Sequence, residues 1–494
     1  MAGDRRSTLA GLGLRPAQGG DVAITGLSID SRTVRPGHLF AALPGSRWHG
    51  ARFIGPALRM GAAAVLTDRA GAAAAREVLA GASAALVVTE DPRMALAWAA
   101  ALWFGAQPDC TVAVTGTNGK TSVASFTRQI WEALRIPAVN LGTTGVEGAY
   151  SAPLAHTTPD PLTLHRLLAE IAAQGVAHCA MEASSHGLDQ RRIDGVRLAA
   201  AAFTNLGHDH MDYHADADAY FAAKAGLFDR VLPADGVAVI NMDDPRGADV
   251  LAIAAERGQS TLTVGWHEDC DLHILGQRFD AAGQELRFGY DGAVHQVRLT
   301  LVGGFQAGNA LLALGLVLAT GTPITEAVAV LPRLRGVRGR MELAARRASG
   351  APVFVDYAHT PDALETALTA LRPHVMGRLV VVFGAGGDRD RAKRPLMGAV
   401  AAKHADVVYV TDDNPRSEVP AGIRAEILKA CPEANEVPDR AEAILRAVDA
   451  LGPGDAALIA GKGHETGQVV GETVYPFDDV EQASVAVAAL ERRA

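Results

Sequence analysis

The chain is poor in cysteine: 4 in 494 residues, Cys110, Cys179, Cys270 and Cys431. They lie far apart and no Cys-x-x-Cys pair occurs, so neither a zinc ribbon nor a disulfide framework is expected. No uninterrupted apolar run reaches the ~18 residues that cross a bilayer, and the apolar stretch "NALLALGLVLATG" is too short. The opening "MAGDRRSTLAGLGLRP" has no long apolar core behind its arginines, so no signal peptide is expected. Together these absences point to a reducing, cytoplasmic setting without membrane insertion. Positive charge is also in deficit. With 46 Lys and Arg against 55 Asp and Glu, the net charge of -9 argues against a nucleic-acid backbone as partner. No repeat of fixed period occurs. Neither does an Asn-Lys-x-Asp guanine motif or an arginine-rich assembly region, as a switch GTPase or a P-loop motor would carry.

Hydrophobic residues make up 49% and charged residues 20%, the profile of a folded soluble protein, and the length suits about three domains. Texture divides the chain at about residues 107 and 337, giving 1–107, 108–337 and 338–494. The first part mixes short strands ("HLFAAL", "AAVLTD", "AALVVTE") with helical runs. From Cys110 the pattern becomes strand, glycine turn, helix, and the strands "HCAME", "LAAAAFTN" and "GVAVINMDD" break into polar residues at their carboxyl ends. Ligands gather at such ends in open parallel α/β sheets. Residues from about 260 to 303 alternate and predict antiparallel strands. The third part repeats the α/β theme with "PVFVDYAHTPDAL", "RLVVVFGAGGDRDRAKRP", "DVVYVTDDNPRSE" and "AALIAGKGHETG", which predicts a second ligand-binding sheet.

The segment Gly116–Thr121, "GTNGKT", follows the strand "TVAVT" and opens a helix. Its glycines let backbone N–H groups approach phosphates, and a helix N-terminus favours negative charge. Lys120 would reach the β/γ-phosphates and Thr121 would hold Mg2+. The strict phosphate-loop pattern has a glycine where this chain has Val114. Glu182, ending a strand, suits a metal or its water shell. "SSHGLDQRR" supplies two hydroxyls and two arginines, an environment for a phosphorylated or carboxylated substrate. His210 stands beside an aspartate just past another strand. Spacing alone makes Lys224, in "YFAAKAGLF", a solvated lysine. In "TDDNPRSE", Asn-Pro signals a turn directly after an apolar strand, and this turn is expected to present Asp413 and Arg416 together.

In order along the chain, "DSR", "TGTNGKT", "TTPD", "MEASSHGL", "TNLGHDHMDYH", "YFAAK", "GRME", "DYAHTPDAL", "GGDRDRAKRP", "DNPR" and "GKGHE" resemble the Mur ligase family over essentially the whole chain. "DNPR" with "GKGHE" resembles its diaminopimelate-adding branch. The shortened loop at Val114 is the family's own. The resemblance implies an α/β fold of three domains: a UDP-sugar-binding N-terminal domain, a central P-loop ATPase-like parallel sheet and a C-terminal Rossmann-like domain that binds the amino acid. It implies an ATP-dependent amide ligase. The enzyme would add meso-2,6-diaminopimelate to the D-Glu of UDP-N-acetylmuramoyl-L-alanyl-D-glutamate through an acyl phosphate. The setting would be peptidoglycan precursor synthesis, and with it cell-wall biogenesis, cell shape and division.

Carried over residue by residue, Ile29, Ser31, Ser46, Arg47 and Trp48 would contact the UDP-MurNAc part, and Thr157, Thr158, Ser184, Gln190 and Arg192 the muramoyl-dipeptide end. Gly116, Thr117, Asn118, Gly119, Lys120, Thr121, Asn309, Arg340, Asp356 and His359 would bind ATP. Thr121, Glu182, His210 and Lys224 as a carbamate would hold Mg2+, with Lys120, Lys224 and His210 catalytic. Arg389, Asp413, Asn414, Pro415, Arg416, Gly461 and Glu465 would bind diaminopimelate. The chain departs from the family at Gln306, where Asn is common, and at His156, where Asn often precedes "TTP". A hinge is expected near Leu334–Glu342, and a monomer. A lysine-adding ligase or a folylpolyglutamate synthase of the same superfamily stays open, while the intact set of Lys120, Thr121 and Glu182 speaks against a non-catalytic binding module.

Overall fold

The structure, a computed structural model, describes residues 5–45, 48–207, 209–211, 213–280 and 282–492. Ser46 and Arg47, two of the expected sugar contacts, lie outside them. Three α/β units follow one another along the chain, each built on its own sheet.

The central sheet runs, in spatial order, 293–299, 283–290, 272–280, 260–265, 237–241, 200–203, 110–115, 178–182, 138–142, 145–148. Its middle strands are parallel and buried on both faces, which is why they read as unbroken apolar runs. Along Cys110–Thr115 the side chains alternate between two cores. Val112 and Val114 pack with Phe126, Trp131 and the helix Phe305–Ala319. Ala113 packs with Met181, Phe203 and Leu164. That helix carries "NALLALGLVLA" and is apolar all round because it is buried. Among the described residues no helix is long and apolar enough to cross a membrane. The stretch expected to be antiparallel is only partly so. Ser260–Gly265 pairs in parallel with Val237–Asn241, and the antiparallel meander begins at Leu272–Asp280.

The strand Cys110–Thr115 has Ala200–Phe203 on one side and His178–Glu182 on the other, while the helix that follows it leads to Ala138–Gly142, two places away. Strand order therefore reverses here, and the crevice at the carboxyl ends is where such sheets bind ligands. The first unit holds four parallel strands, 26–28, 38–41, 64–67 and 85–88. In the third, Pro352–Asp356, Ala456–Ala460, Leu379–Phe383 and Val407–Val410 are parallel neighbours, with Glu342–Arg346 antiparallel at one edge.

The units are tied together by polar contacts. Arg191 Nε donates to Asp91 Oδ2 (2.8 Å) between the first and second. The segment entering the third unit is clamped by Gln129 on the phosphate-loop helix: its Nε2 donates to Arg335 O (3.1 Å), and Arg335 N donates to its Oε1 (2.8 Å). His374 accepts from Gly303 N (3.1 Å) and its Nδ1 faces Asp280 O (2.7 Å).

Candidate active site

The helix Lys120–Ala133 starts directly from the loop Gly116–Gly119, so its first N–H groups open into the crevice. Gly116 and Gly119 hold φ of 146° and 86°, and at Gly119 a Cβ would come 2.7 Å from Asn309 Oδ1. The loop is pinned by residues that sequence reasoning passed over. Thr117 N donates to Asn205 O (2.8 Å), Asn118 N to Asn205 Oδ1 (2.9 Å), and Thr204 Oγ1 to Asn118 O (2.6 Å). Thr204 and Asn205 open the quoted "TNLGHDH", so the signal was present but unassigned. Lys120 curls over the loop, its Nζ donating to Gly116 O and Thr117 O (both 2.8 Å). Burial pushes its ammonium down.

Thr121 and Glu182 meet because their strand and helix both end at the crevice. Thr121 Oγ1 donates to Glu182 Oε2 (3.1 Å), and Thr143 donates from N to Oε1 (2.7 Å) and from Oγ1 to Oε2 (3.1 Å). Thr143 Oγ1 also bonds Thr157 Oγ1 (3.0 Å), joining this carboxylate to the expected dipeptide group. In that group Thr158 Oγ1 donates to Glu182 O (3.0 Å) and accepts from Ser184 N (3.0 Å). Arg192 donates to Thr158 O (2.7 Å) and, from Nη2, to Gln190 Oε1 (2.8 Å). The Ser184 hydroxyl caps the short helix Ser185–Asp189.

Lys224 is not solvated. It is 1% exposed, its Nζ donates to Gly116 O (2.7 Å) and it lies 4.4 Å from the Tyr220 ring centroid. Burial first, and the neighbouring Lys120 second, push its amine well down. His210, at φ 58°, stands 3.5 Å from Asp209 Oδ2, with its ring 6.1 Å from that of Tyr220.

A cavity of about 350 Å³ opens beside the loop, lined by Asn118, Gly119 and Asn309 from the second unit and Arg340, Asp356 and His359 from the third. Asn309 Nδ2 donates to Gln306 Oε1 (3.1 Å), so the departure at Gln306 still orients Asn309. Asp356 accepts from Met341 N (2.7 Å) and Ala358 N (2.8 Å), and burial raises its carboxyl. The Arg340 guanidinium sits over Tyr357 (4.7 Å). His359 Nδ1 faces Tyr357 O (2.7 Å), and burial lowers this imidazole.

The turn after Val407–Val410 divides its pair. Asp413 is 7% exposed and turns inward, its Oδ1 lying 3.5 Å from Lys462 Nζ. Burial works against this carboxylate, but Arg440 and Lys462 outweigh it and hold it below the usual range. Arg416, half-buried at φ 51°, donates to Gly387 O (2.7 Å) and its backbone pairs with Val469 of the hairpin 467–476. Asn414 Nδ2 donates to Glu465 Oε2 (2.8 Å), and burial raises the Glu465 carboxyl. Pro415 is buried, Arg389 is exposed in the loop after Leu379–Phe383, and Gly461 holds φ 118°. On the first unit, Ile29 is exposed, Ser31 begins a turn capped by Asp30, and Trp48 is 67% exposed with the Arg52 guanidinium over its ring (4.4 Å).

Fold and site define the class: a phosphate-loop nucleotide-binding α/β protein whose cavity is completed by a second parallel sheet. The chain belongs to the Mur ligase family. It matches the Mur ligase middle domain over residues 114–317, the Mur ligase glutamate ligase domain over 339–463, and the Mur ligase family catalytic domain over 23–103. It is 49% identical over 488 residues to the UDP-N-acetylmuramoyl-L-alanyl-D-glutamate--2,6-diaminopimelate ligase of Brucella melitensis, covering 96% of each chain. It is 50% identical over 469 residues to that of Bradyrhizobium diazoefficiens, covering 94% of this chain and 95% of the relative. A solved structure of a ligase of that name aligns at TM-score 0.70 with 34% identity, covering 95% of both. Mycobacterium tuberculosis folylpolyglutamate synthase complexed with ADP aligns at TM-score 0.62 and 22% identity, covering 82% of this chain and 94% of that one, and shares the fold.

Proposed function

We propose that the protein joins meso-2,6-diaminopimelate to the D-Glu carboxylate of UDP-N-acetylmuramoyl-L-alanyl-D-glutamate at the expense of ATP, making a peptidoglycan precursor. The D-Glu carboxylate oxygen attacks the γ-phosphorus and ADP leaves. The diaminopimelate amine then attacks the acyl phosphate carbon, and phosphate leaves as the amide forms. One observation carries the reading: a single cavity is lined by the phosphate loop of one sheet and by strand-end residues of another, so nucleotide and incoming amine can be brought to one carboxylate.

The residues present fit the nucleotide and its metal. Gly116 and Gly119 give phosphates access to backbone N–H groups, with Lys120 to balance charge developing on the transferred phosphoryl group. Thr121 Oγ1 and Glu182 Oε2 are adjacent hard oxygens. Among the described residues no group of three His, Cys, Asp or Glu forms a protein cage, and Mg2+ is commonly held by one or two protein oxygens together with phosphates and water. Thr121, Glu182 and His210 would hold Mg2+, which when bound neutralises phosphate charge. Lys224 suits carbamylation because that reaction needs a neutral amine, and burial favours one. As a carbamate it would turn a cation into an anion able to join the metal ligands.

Thr157, Thr158, Ser184, Gln190 and Arg192 would hold the muramoyl-dipeptide, with Ile29, Ser31 and Trp48 toward the nucleotide-sugar. Arg389, Asn414, Arg416 and Glu465, with Asp413, Pro415 and Gly461 behind them, would take the far end of diaminopimelate. Dividing the chain at about residues 107 and 337 puts one main sheet in each domain, and Gln129 would fix the near side of a hinge in 334–342. Four free, scattered cysteines support a cytoplasmic setting, and a monomer suffices for the site. The test is product formation. Phosphate should be released only when ATP and both organic substrates are present, with a product of the amide's mass; release from ATP alone would make the chain a nucleotidase or switch.

A further inference from the structure

Lys462 was not among the expected ligand residues, and it is a fully enclosed cation at the amino-acid end of the site. Its side chain is 0% exposed. Its Nζ donates to Asn414 Oδ1 (3.0 Å) and Gly467 O (2.9 Å), with Asp413 Oδ1 at 3.5 Å and Glu465 Oε2 at 3.8 Å.

A side-chain amide can be turned either way, and its neighbours decide which. Here Asn414 faces two groups that can only donate, the Lys462 ammonium and the backbone N–H of Val469 (2.9 Å). The atom between them must be the oxygen. The NH2 group is thereby forced toward Glu465, where it donates to Oε2 (2.8 Å). That leaves Glu465 Oε1 without a hydrogen bond among the described residues, on a side chain that is one third exposed. Val469 belongs to the hairpin 467–476, whose backbone also pairs with Arg416. One buried ammonium therefore sets the amide, the hairpin and the carboxylate.

Charge supports the same role. Asp413 and Glu465 face Lys462 in this corner, and Arg440, which also holds Asp413 ionised, is forked to Asp479 at 2.8 and 2.7 Å. Removing Lys462 takes one positive charge from beside Asp413 and Glu465, which favours a ligand end that is purely cationic over one that is zwitterionic.

We propose that Lys462 is a positioning residue for the amino-acid substrate. It fixes the Asn414 amide and, with Arg440, balances Asp413, so that Glu465 and Arg416 confront an ammonium and a carboxylate as a matched pair. This deepens the proposed function and rests on it.

The experiment compares wild type, Lys462→Met and Lys462→Arg in phosphate release, with meso-diaminopimelate and with lysine, after thermal unfolding confirms a folded chain. Loss of a hydrogen-bonded charge predicts a diaminopimelate KM raised roughly ten- to a hundredfold in Lys462→Met. The KM values for ATP and the nucleotide-sugar should stay unchanged, and the diaminopimelate-to-lysine ratio of kcat/KM should fall about tenfold or more. Lys462→Arg, which keeps the charge, should raise the KM but retain the ratio. If Lys462→Met does not fold, Lys462→Arg decides: a retained ratio supports the proposal and a collapsed one overturns it. An unchanged KM and ratio in a folded Lys462→Met also overturn it. A wild type that ligates neither amino acid would instead overturn the proposed function.

Discussion

Glu182→Gln separates the chemistry of the site from its architecture. The carboxylate accepts three hydrogen bonds, from Thr143 N to Oε1 (2.7 Å) and from Thr143 Oγ1 and Thr121 Oγ1 to Oε2 (both 3.1 Å). A backbone N–H can only donate, so the glutamine oxygen must take the Oε1 place and its NH2 the other. The two hydroxyls can rotate and accept from that NH2, so no donor is left facing a donor. What is lost is charge assistance in bonds worth ~1 kcal/mol more when ionised, a stability cost of about 1–3 kcal/mol. The chain should therefore stay folded, melting a few degrees lower. Activity should respond differently, because the carboxylate proposed to hold Mg2+ is gone. Removing one such electrostatic group commonly costs ~10²–10³ in kcat. Phosphate release at graded Mg2+, beside a thermal melt, reads both quantities. Turnover within a few-fold of wild type with an unchanged Mg2+ requirement would place the metal elsewhere.

Lys224→Arg keeps a cation but cannot be carbamylated, and should be nearly inactive while still binding ATP; full activity, measured by phosphate release, would leave Lys224 a structural amine. Arg416→Ala removes the guanidinium that can pair both carboxylate oxygens, so the diaminopimelate KM should rise steeply with little change in the ATP KM, and the preference over lysine should shrink; an unchanged preference means that Arg416 only shapes its turn. His165 is buried with Nε2 facing Asp194 O (3.0 Å), and burial pushes its imidazole down to about 4. Its folded value lies below the unfolded ~6.5, so this contribution is complete above pH ~6.5 and is lost as pH falls toward 4, to a total of about 3 kcal/mol. His165→Gln, which keeps a donor for Asp194 O, should flatten the melting temperature across that window.

The phosphate loop was legible in the sequence because everything that defines it is local: a buried strand, two glycines with positive φ, and a helix starting at Lys120. Glu182 was legible for the same reason, at the end of an apolar run. Lys224 was not. A lysine among alanines in "YFAAKAGLF" reads as solvated, and only the packing of its helix against the loop, with Tyr220 beneath the amine, buries it. Its assignment rested on family resemblance and not on spacing. Thr143 gave no local signal, since it reaches Glu182 through the sheet neighbours Ala138–Gly142 and His178–Glu182. The direction of Ser260–Gly265 was misread because alternation reports which face is buried and not which way the neighbouring strand runs. The turn at Asp413–Arg416 was placed correctly after its strand, but the inward Asp413 depends on Lys462 and Arg440, which lie about 30 to 50 residues further along and could not be located from the turn itself.

Under the proposed function this site activates a carboxylate with ATP and chooses an incoming amino acid by its far end. The most direct measurement is phosphate release by the wild-type protein with ATP, Mg2+ and UDP-N-acetylmuramoyl-L-alanyl-D-glutamate, comparing meso-diaminopimelate with lysine. Lysine lacks the distal carboxylate and would leave the Arg416 guanidinium without its anionic partner, a mismatch that can cost as much as ~10⁴-fold in kcat/KM. Release should be rapid with diaminopimelate and almost absent with lysine. Equal rates with the two amino acids, or release that needs neither, would contradict that function.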